Sequence, residues 1–140
     1  MHPNLIISAR KLLNSHHRFA SDDCLKKLPQ MSEEERDSLP FGVIQLDDHG
    51  IIMQYNQYEA NLAQRNKEST IGQDFFQKIA PCTQSPIFSG LFFHGVQSDD
   101  LQAFVSYFFD FRMHPTHVWI HMYRCPNTKT NWILVQKKQA

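Results

Sequence analysis

The sequence predicts an α+β fold: a five-stranded antiparallel sheet, helices inserted between its second and third strands, and a helical cap ahead of the first. Three observations carry this. Residues 41–55 read as a β-hairpin, 57–97 place apolar residues at helical spacing, and 101–138 read as strands with few breaks. Pro40 separates them from a more polar opening, so the expected division is a cap over 1–38 and a main domain over 39–140. At 140 residues the chain holds one sizeable core, not two.

In the cap, Leu5, Ile6, Ala9, Leu12, Leu13 and Phe19 predict an amphipathic helix over 4–19. Residues 21–38 turn polar. Ser32 with Glu35 three residues on makes a capping box, and Glu33 and Glu34 suit a first helical turn. The cap has too little apolar surface to stand alone. After Pro40, 41–47 is a strand, Asp47-Asp48-His49-Gly50 is turn chemistry and 51–55 is the return strand. Asn56 is a good N-cap for a helix over 57–64. Gly72 breaks the chain, 74–79 is a short helical piece, and 87–97 is a longer helix with Phe88, Leu91, Phe92, Gly95 and Val96 on one side.

The last third is β. Residues 101–112 form an aromatic-rich strand, 113–116 a turn, and 117–124 a strand with Val118, Ile120 and Met122 on one face. His117, Trp119, His121 and Tyr123 occupy its other face, and 132–138 closes the sheet after a loop over 126–130. Large residues on both faces imply a sheet covered on both sides, by the middle helices and by the cap. This order is the PAS arrangement, in which a small ligand lies between the sheet and the helical excursion.

Composition narrows the function classes. Lys and Arg number 14, as do Asp and Glu, so no basic excess exists to neutralise phosphates and nucleic acid is not an expected partner. Three cysteines without close pairing, Cys24, Cys82 and Cys125, argue against a disulfide framework or a zinc site. No apolar run is long enough to span a bilayer and no secretory signal is visible, so a reducing cytoplasm is expected. Of the eight histidines, His117 and His121 share a strand face but stand roughly 13 Å apart, too far to share a metal ion. No enzyme is expected; a cysteine hydrolase would need a base beside Cys82, for which His94 is the only sequence-local candidate.

The stretch that organises the rest is Ile-Ala-Pro-Cys-Thr-Gln-Ser-Pro, with Cys82 bracketed by Pro81 and Pro86. Two prolines stiffen the loop and aim the sulfur. Together with Tyr55, Glu59, Arg65, Phe75-Phe76, Phe109-Asp110, Met113 and Pro115-Thr116, this stretch resembles the photoactive yellow protein (xanthopsin) family over about residues 39–138. The resemblance implies p-coumaric acid (4-hydroxycinnamic acid) carried as a thioester on Cys82, with Tyr55 and Glu59 at its phenolic oxygen. Arg65 resembles a gate residue and Met113 one that speeds dark return, while Pro81, Ala63, Phe109 and Phe111 complete the implied chromophore-contacting set. Ala63 stands where the family usually has Thr, and Phe111 where it has Tyr. The colour and cycle rate are where those departures fall.

Chemistry agrees with that assignment. A buried phenolate needs donors; Tyr55 is one, and Glu59 is another if burial keeps it protonated. The expected function is therefore a blue-light photoreceptor working by trans–cis isomerisation, proton transfer from Glu59 and loosening of the cap. The alternative is a light-independent PAS module that binds another ligand or dimerises. With no effector segment in these residues, the expected partner is a separate signalling protein or a homodimer, met on the cap or on the face bearing His117, Trp119 and His121.

Overall fold

The computed structural model describes residues 19–111 and 114–138, without the side chains of 109–111 and 114. The helix expected over 4–19 therefore lies outside the described residues, apart from Phe19, as does Met113. In the cap, α1 (Asp22–Lys27) and α2 (Glu33–Asp37) frame a short 3₁₀ turn. The capping box is present: Ser32 Oγ accepts the Glu35 N–H at 3.1 Å and Glu35 Oε1 accepts the Ser32 N–H at 3.0 Å. Helix α1 is not foreseen by the sequence reading, because its six residues bury only Leu25 and show no apolar period; Ser21 caps it.

Strands β1 (Gly42–Leu46) and β2 (Ile52–Tyr55) form the expected hairpin, and α3 (Gln57–Ala63) follows at once. Asp47 Oδ1 accepts the His49 and Ile51 N–H groups, and Gly50 closes the turn with φ +88°. Two single π-turns, Phe75–Ile79 and Pro86–Gly90, flank the Cys82 loop, and the second runs into α4 (Leu91–Gln97). The longer helix expected over 87–97 thus has a π-turn for its first part. Then come β3 (Gln102–Phe111), β4 (His114–Cys125) and β5 (Thr130–Lys137) in a five-stranded antiparallel sheet of order β2-β1-β5-β4-β3.

The expected turn over 113–116 is corrected. Pro115 and Thr116 are strand residues, paired with Asp110 and Phe109. Among the described residues β5 pairs with β4 from Val118 onward, and Pro115 at the start of β4 pairs with Asp110 of β3.

Alternation along the strands divides the interior into two cores. On one face Ile44, Ile52, Val105, Ile120, Ile133 and Val135 pack beneath Phe75, Phe76, Phe88 and Phe92 of the excursion. On the other, Val43, Tyr123, Trp132 and Leu134 pack beneath Leu25 and Leu28 of the cap. Each fully buried leucine contributes about 1.5–3 kcal/mol of transfer free energy, and Phe19, Ala20, Cys24 and Met31 of the described cap residues join the same cluster. Arg124 ties the far turns together, bonding Asp48, Asp99 and Asn131 at 2.7–2.8 Å.

Gly95 of α4 lies against the chain at Leu101: an added Cβ would fall 2.9 Å from its Cα and 2.7 Å from its Cβ. Backbone must shift to make room. Gly95→Ala is expected to destabilise the fold by about 1–3 kcal/mol, read as a lower urea midpoint with unchanged slope.

Candidate functional site

The site is built at the corner where β2 becomes α3. Asn56 ends the strand and caps the helix: its Oδ1 accepts the Glu59 N–H at 3.1 Å and the Val43 N–H at 2.9 Å. Its Nδ2 donates to the Phe41 carbonyl at 3.1 Å and to the Arg36 carbonyl of the cap at 2.9 Å. The node is buried, and it fixes what lies on either side. Tyr55 enters the core as the last residue of β2, and Glu59 turns inward from the third position of α3, with Ala63 one turn further on.

Glu59 is 1% exposed, and its Oε1 has no hydrogen-bond partner among the described residues. Burial pushes its carboxyl up to about 8, so the acid is neutral at the midpoint of the physiological range. Gly42 permits this placement, since a Cβ there would collide with Glu59 Oε1 and stand 3.2 Å from its Cβ. The Tyr55 phenol is pushed well above its ordinary value, first by burial and then by the nearby Glu59 charge, against a lowering from Arg65. Tyr55, Glu59 and Arg65 therefore belong to one electrostatic neighbourhood.

Arg65 is half-buried and donates from Nη2 to the Ile79 carbonyl at 3.1 Å. That bond joins the α3 corner to the loop carrying Pro81 and Cys82. The loop is a 3₁₀ turn, Pro81–Thr83, with Thr83 fully buried and Cys82 exposed. Thr83 Oγ1 donates to the Ala80 carbonyl at 2.6 Å, and Gln84 Nε2 to the Phe76 carbonyl at 2.7 Å. The sequence reading missed Tyr107. Its hydroxyl donates to the Cys82 carbonyl and meets Ser85 Oγ at 3.2 Å, and its ring stands edge-on to Phe88 with centroids 5.3 Å apart. The partner lies 25 residues away in sequence, so spacing carries no sign of it; only a tyrosine among the phenylalanines of β3 hints at a polar task.

The side chains of Phe109, Phe111 and Met113 lie outside the described residues. One smaller expectation is corrected. Cys125 is buried, and His121 is fully buried, which removes it from the outer face expected to meet a partner. Among the described residues, no group of three His, Cys, Asp or Glu side chains is placed to hold a metal ion, and no helix is long and apolar enough to cross a membrane.

No protein-family model matches the chain. It is 41% identical over 120 residues to the photoactive yellow protein of Rhodothalassium salexigens, covering 86% of this chain and 96% of that one. Among solved structures, the photoactive yellow protein domain of the sensor histidine kinase Ppr from Rhodospirillum centenum superposes with a TM-score of 0.76 at 42% identity, covering 79% of this chain and 97% of that one. The PAS domain of a quorum-sensing receptor from Cronobacter turicensis shares the fold alone, with a TM-score of 0.60 at 14% identity over 73% of this chain and 97% of that one.

The raised Glu59 carboxyl has a stability consequence. The folded state keeps its proton up to about pH 8, while the unfolded chain loses it near about 4.3. Between those values the native state binds more protons, so the stability contributed by neutral Glu59 falls as pH rises. Glu59→Gln is expected to flatten the decline in unfolding free energy between those pH values, measured by denaturant titration at several pH values. A parallel decline in both proteins would contradict this.

Proposed function

The chain belongs to the photoactive yellow protein family, and from that membership we propose that it is a blue-light photoreceptor carrying p-coumaric acid as a thioester on Cys82. The observation that most supports this is Glu59: a neutral, fully buried carboxyl with an unsatisfied oxygen, four residues after a buried tyrosine. Such an acid is costly to bury without a partner, and a phenolic oxygen brought into the pocket would supply one.

When bound, the chromophore supplies blue-light absorption through its phenolate form and a double bond that isomerises from trans to cis. The chain's residues do the rest. Cys82, exposed in its Pro-bracketed loop, provides the sulfur for attachment, and Tyr107 holds that residue's carbonyl. Tyr55 and Glu59 would hold the phenolic oxygen, each as a hydrogen-bond donor, and charge-assisted bonds of that kind are strong. Arg65, pinned to Ile79, limits water at the pocket. Ala63, Pro81, Phe109, Phe111 and Met113 complete the proposed lining.

Glu59 is the proton source. Once it has given up its proton, a carboxylate is left in apolar surroundings, and the cost loosens the first turn of α3 and the contacts that turn makes with the cap. Residues 39–140 then act as the photosensory domain and 1–38 as the segment that is released. The receiver of the signal is a separate protein or a second copy of the chain.

The test is an absorption spectrum after mixing with an activated p-coumaroyl ester. A blue-absorbing band that bleaches in light, returns in darkness and is absent from Cys82→Ala is the expected result. In Glu59→Gln the band is expected to persist while the light-induced loss of a carboxyl infrared band disappears. No band, or an equal band in Cys82→Ala, would leave a light-independent PAS ligand sensor.

A further inference from the structure

Strands β3, β4 and β5 gather a second set of reactive groups, on the sheet face shared with Tyr123 and Leu134. Ser106 of β3 stands opposite Trp119 of β4, and Phe108 opposite His117. Lys138 follows β5, and its backbone N–H donates to the His117 carbonyl at 2.9 Å. Its side chain turns onto the same neighbours. Lys138 Nζ donates to Ser106 Oγ at 2.7 Å and to His117 Nε2 at 2.8 Å, and it stands 3.8 Å from the centre of the Trp119 ring. Ser106 Oγ and His117 Nε2 are themselves 2.6 Å apart. Phe108, 60% exposed, lies flat on the imidazole, with ring centroids 4.3 Å apart and planes 13° from parallel.

An ammonium can only donate, so its contact with Nε2 makes that nitrogen the one with the lone pair and leaves the imidazole neutral. Among the described side chains no carboxylate pairs with Lys138; a hydroxyl, an imidazole and an indole ring, all neutral, are its partners. Burial also holds its ammonium below the ordinary value. A lysine serving only as a surface charge would meet an acid or run into water. This one is turned onto an unprotonated base. An amine with a proton acceptor in hydrogen-bond reach is an activated nucleophile.

We propose that Lys138 is an acyl-acceptor site, modified at its side-chain nitrogen by aryl acyl thioesters. His117 Nε2 takes a proton from the ammonium, and the free amine attacks the thioester carbonyl. A nitrogen–carbon bond forms as the carbon–sulfur bond breaks. Of the two protons the nitrogen gives up, one passes through His117 to solvent and one leaves with the sulfur as a thiol. The product is a neutral amide, so the charge over Trp119 is lost. The Phe108 and Trp119 rings beside the amine give an aromatic acyl group a surface to lie on, which favours it over an acetyl group.

The test uses the full chain treated with S-benzoyl-N-acetylcysteamine, then with hydroxylamine to strip thioesters from the cysteines, and read by peptide mass spectrometry. Lys138 is expected to be benzoylated about tenfold faster than its neighbour Lys137. His117→Gln, which keeps a hydrogen-bond acceptor but not a base, is expected to slow Lys138 by at least about tenfold and to leave Lys137 unchanged. Cys82→Ala is expected to match the parent at Lys138, which separates this site from the attachment proposed above. With S-acetyl-N-acetylcysteamine the advantage of Lys138 over Lys137 is expected to shrink, and Phe108→Ala is expected to shrink it likewise for the benzoyl reagent. Equal rates at Lys138 and Lys137, an unaltered Lys138 rate in His117→Gln, or the acyl group recovered on Ser106 in place of Lys138 overturns the proposal.

Discussion

The structure turns on one awkward group, a carboxylic acid sealed in a hydrophobic interior with an oxygen that nothing among the described residues satisfies. Charged, it would be prohibitive; neutral, it is still an expense that folding alone does not justify. The residues around it maintain that state. Gly42 leaves out the side chain that would displace it, and Asn56 fixes the turn from which it projects. Tyr55 and Ala63 close in from either side along the chain. An interior that gives up optimal packing and polar satisfaction at a single point is the signature of a site, since natural cores violate such rules mainly where function requires it.

From that point the effects of charge have a short physical route outward. Asn56 bonds a strand, a helix turn and the Arg36 carbonyl of the cap at once, so it cannot move without disturbing all of them. The sheet adds a second connection. Its strands send alternate residues to the excursion core and to the cap core, as Ile133 and Leu134 do in succession on β5. Among the described residues the cap meets the sheet through Phe19, Ala20, Leu25 and Leu28, together with polar contacts from α2. The described cap residues thus meet the main domain through both apolar and polar contacts at the corner that carries Glu59.

What the sequence made legible was mostly local. The Ser32 capping box, the Asn56 cap and the Asp-Asp-His-Gly turn depend on neighbours within four residues, and the structure has all of them. The division of β4 into two faces was equally readable, because period-two alternation survives whatever the sheet packs against. Helix α1 was not readable, since its stability comes from one leucine docked on Tyr123 and Trp132, a hundred residues away, and not from its own pattern. Pro115 misled because proline usually stops a strand, and here it stands at the start of one, paired with Asp110 of β3. Tyr107 acts across 25 residues, where spacing carries no information.

Attachment and acid chemistry make opposite demands, and the two ends of the site answer them separately. On the proposed reading the thiol meets an incoming acyl group and has to be reachable, and Cys82 is exposed on a loop stiffened by prolines and tied down through Tyr107. An acid that must stay protonated near neutral pH has to be kept from water, and Glu59 is almost wholly buried. Arg65 spans the two: its guanidinium bonds the Ile79 carbonyl three residues before Cys82, and its charge is felt at the Tyr55 phenol. On that reading, the acyl end of p-coumaric acid would meet the exposed sulfur of Cys82 and its phenol the buried Tyr55 and Glu59.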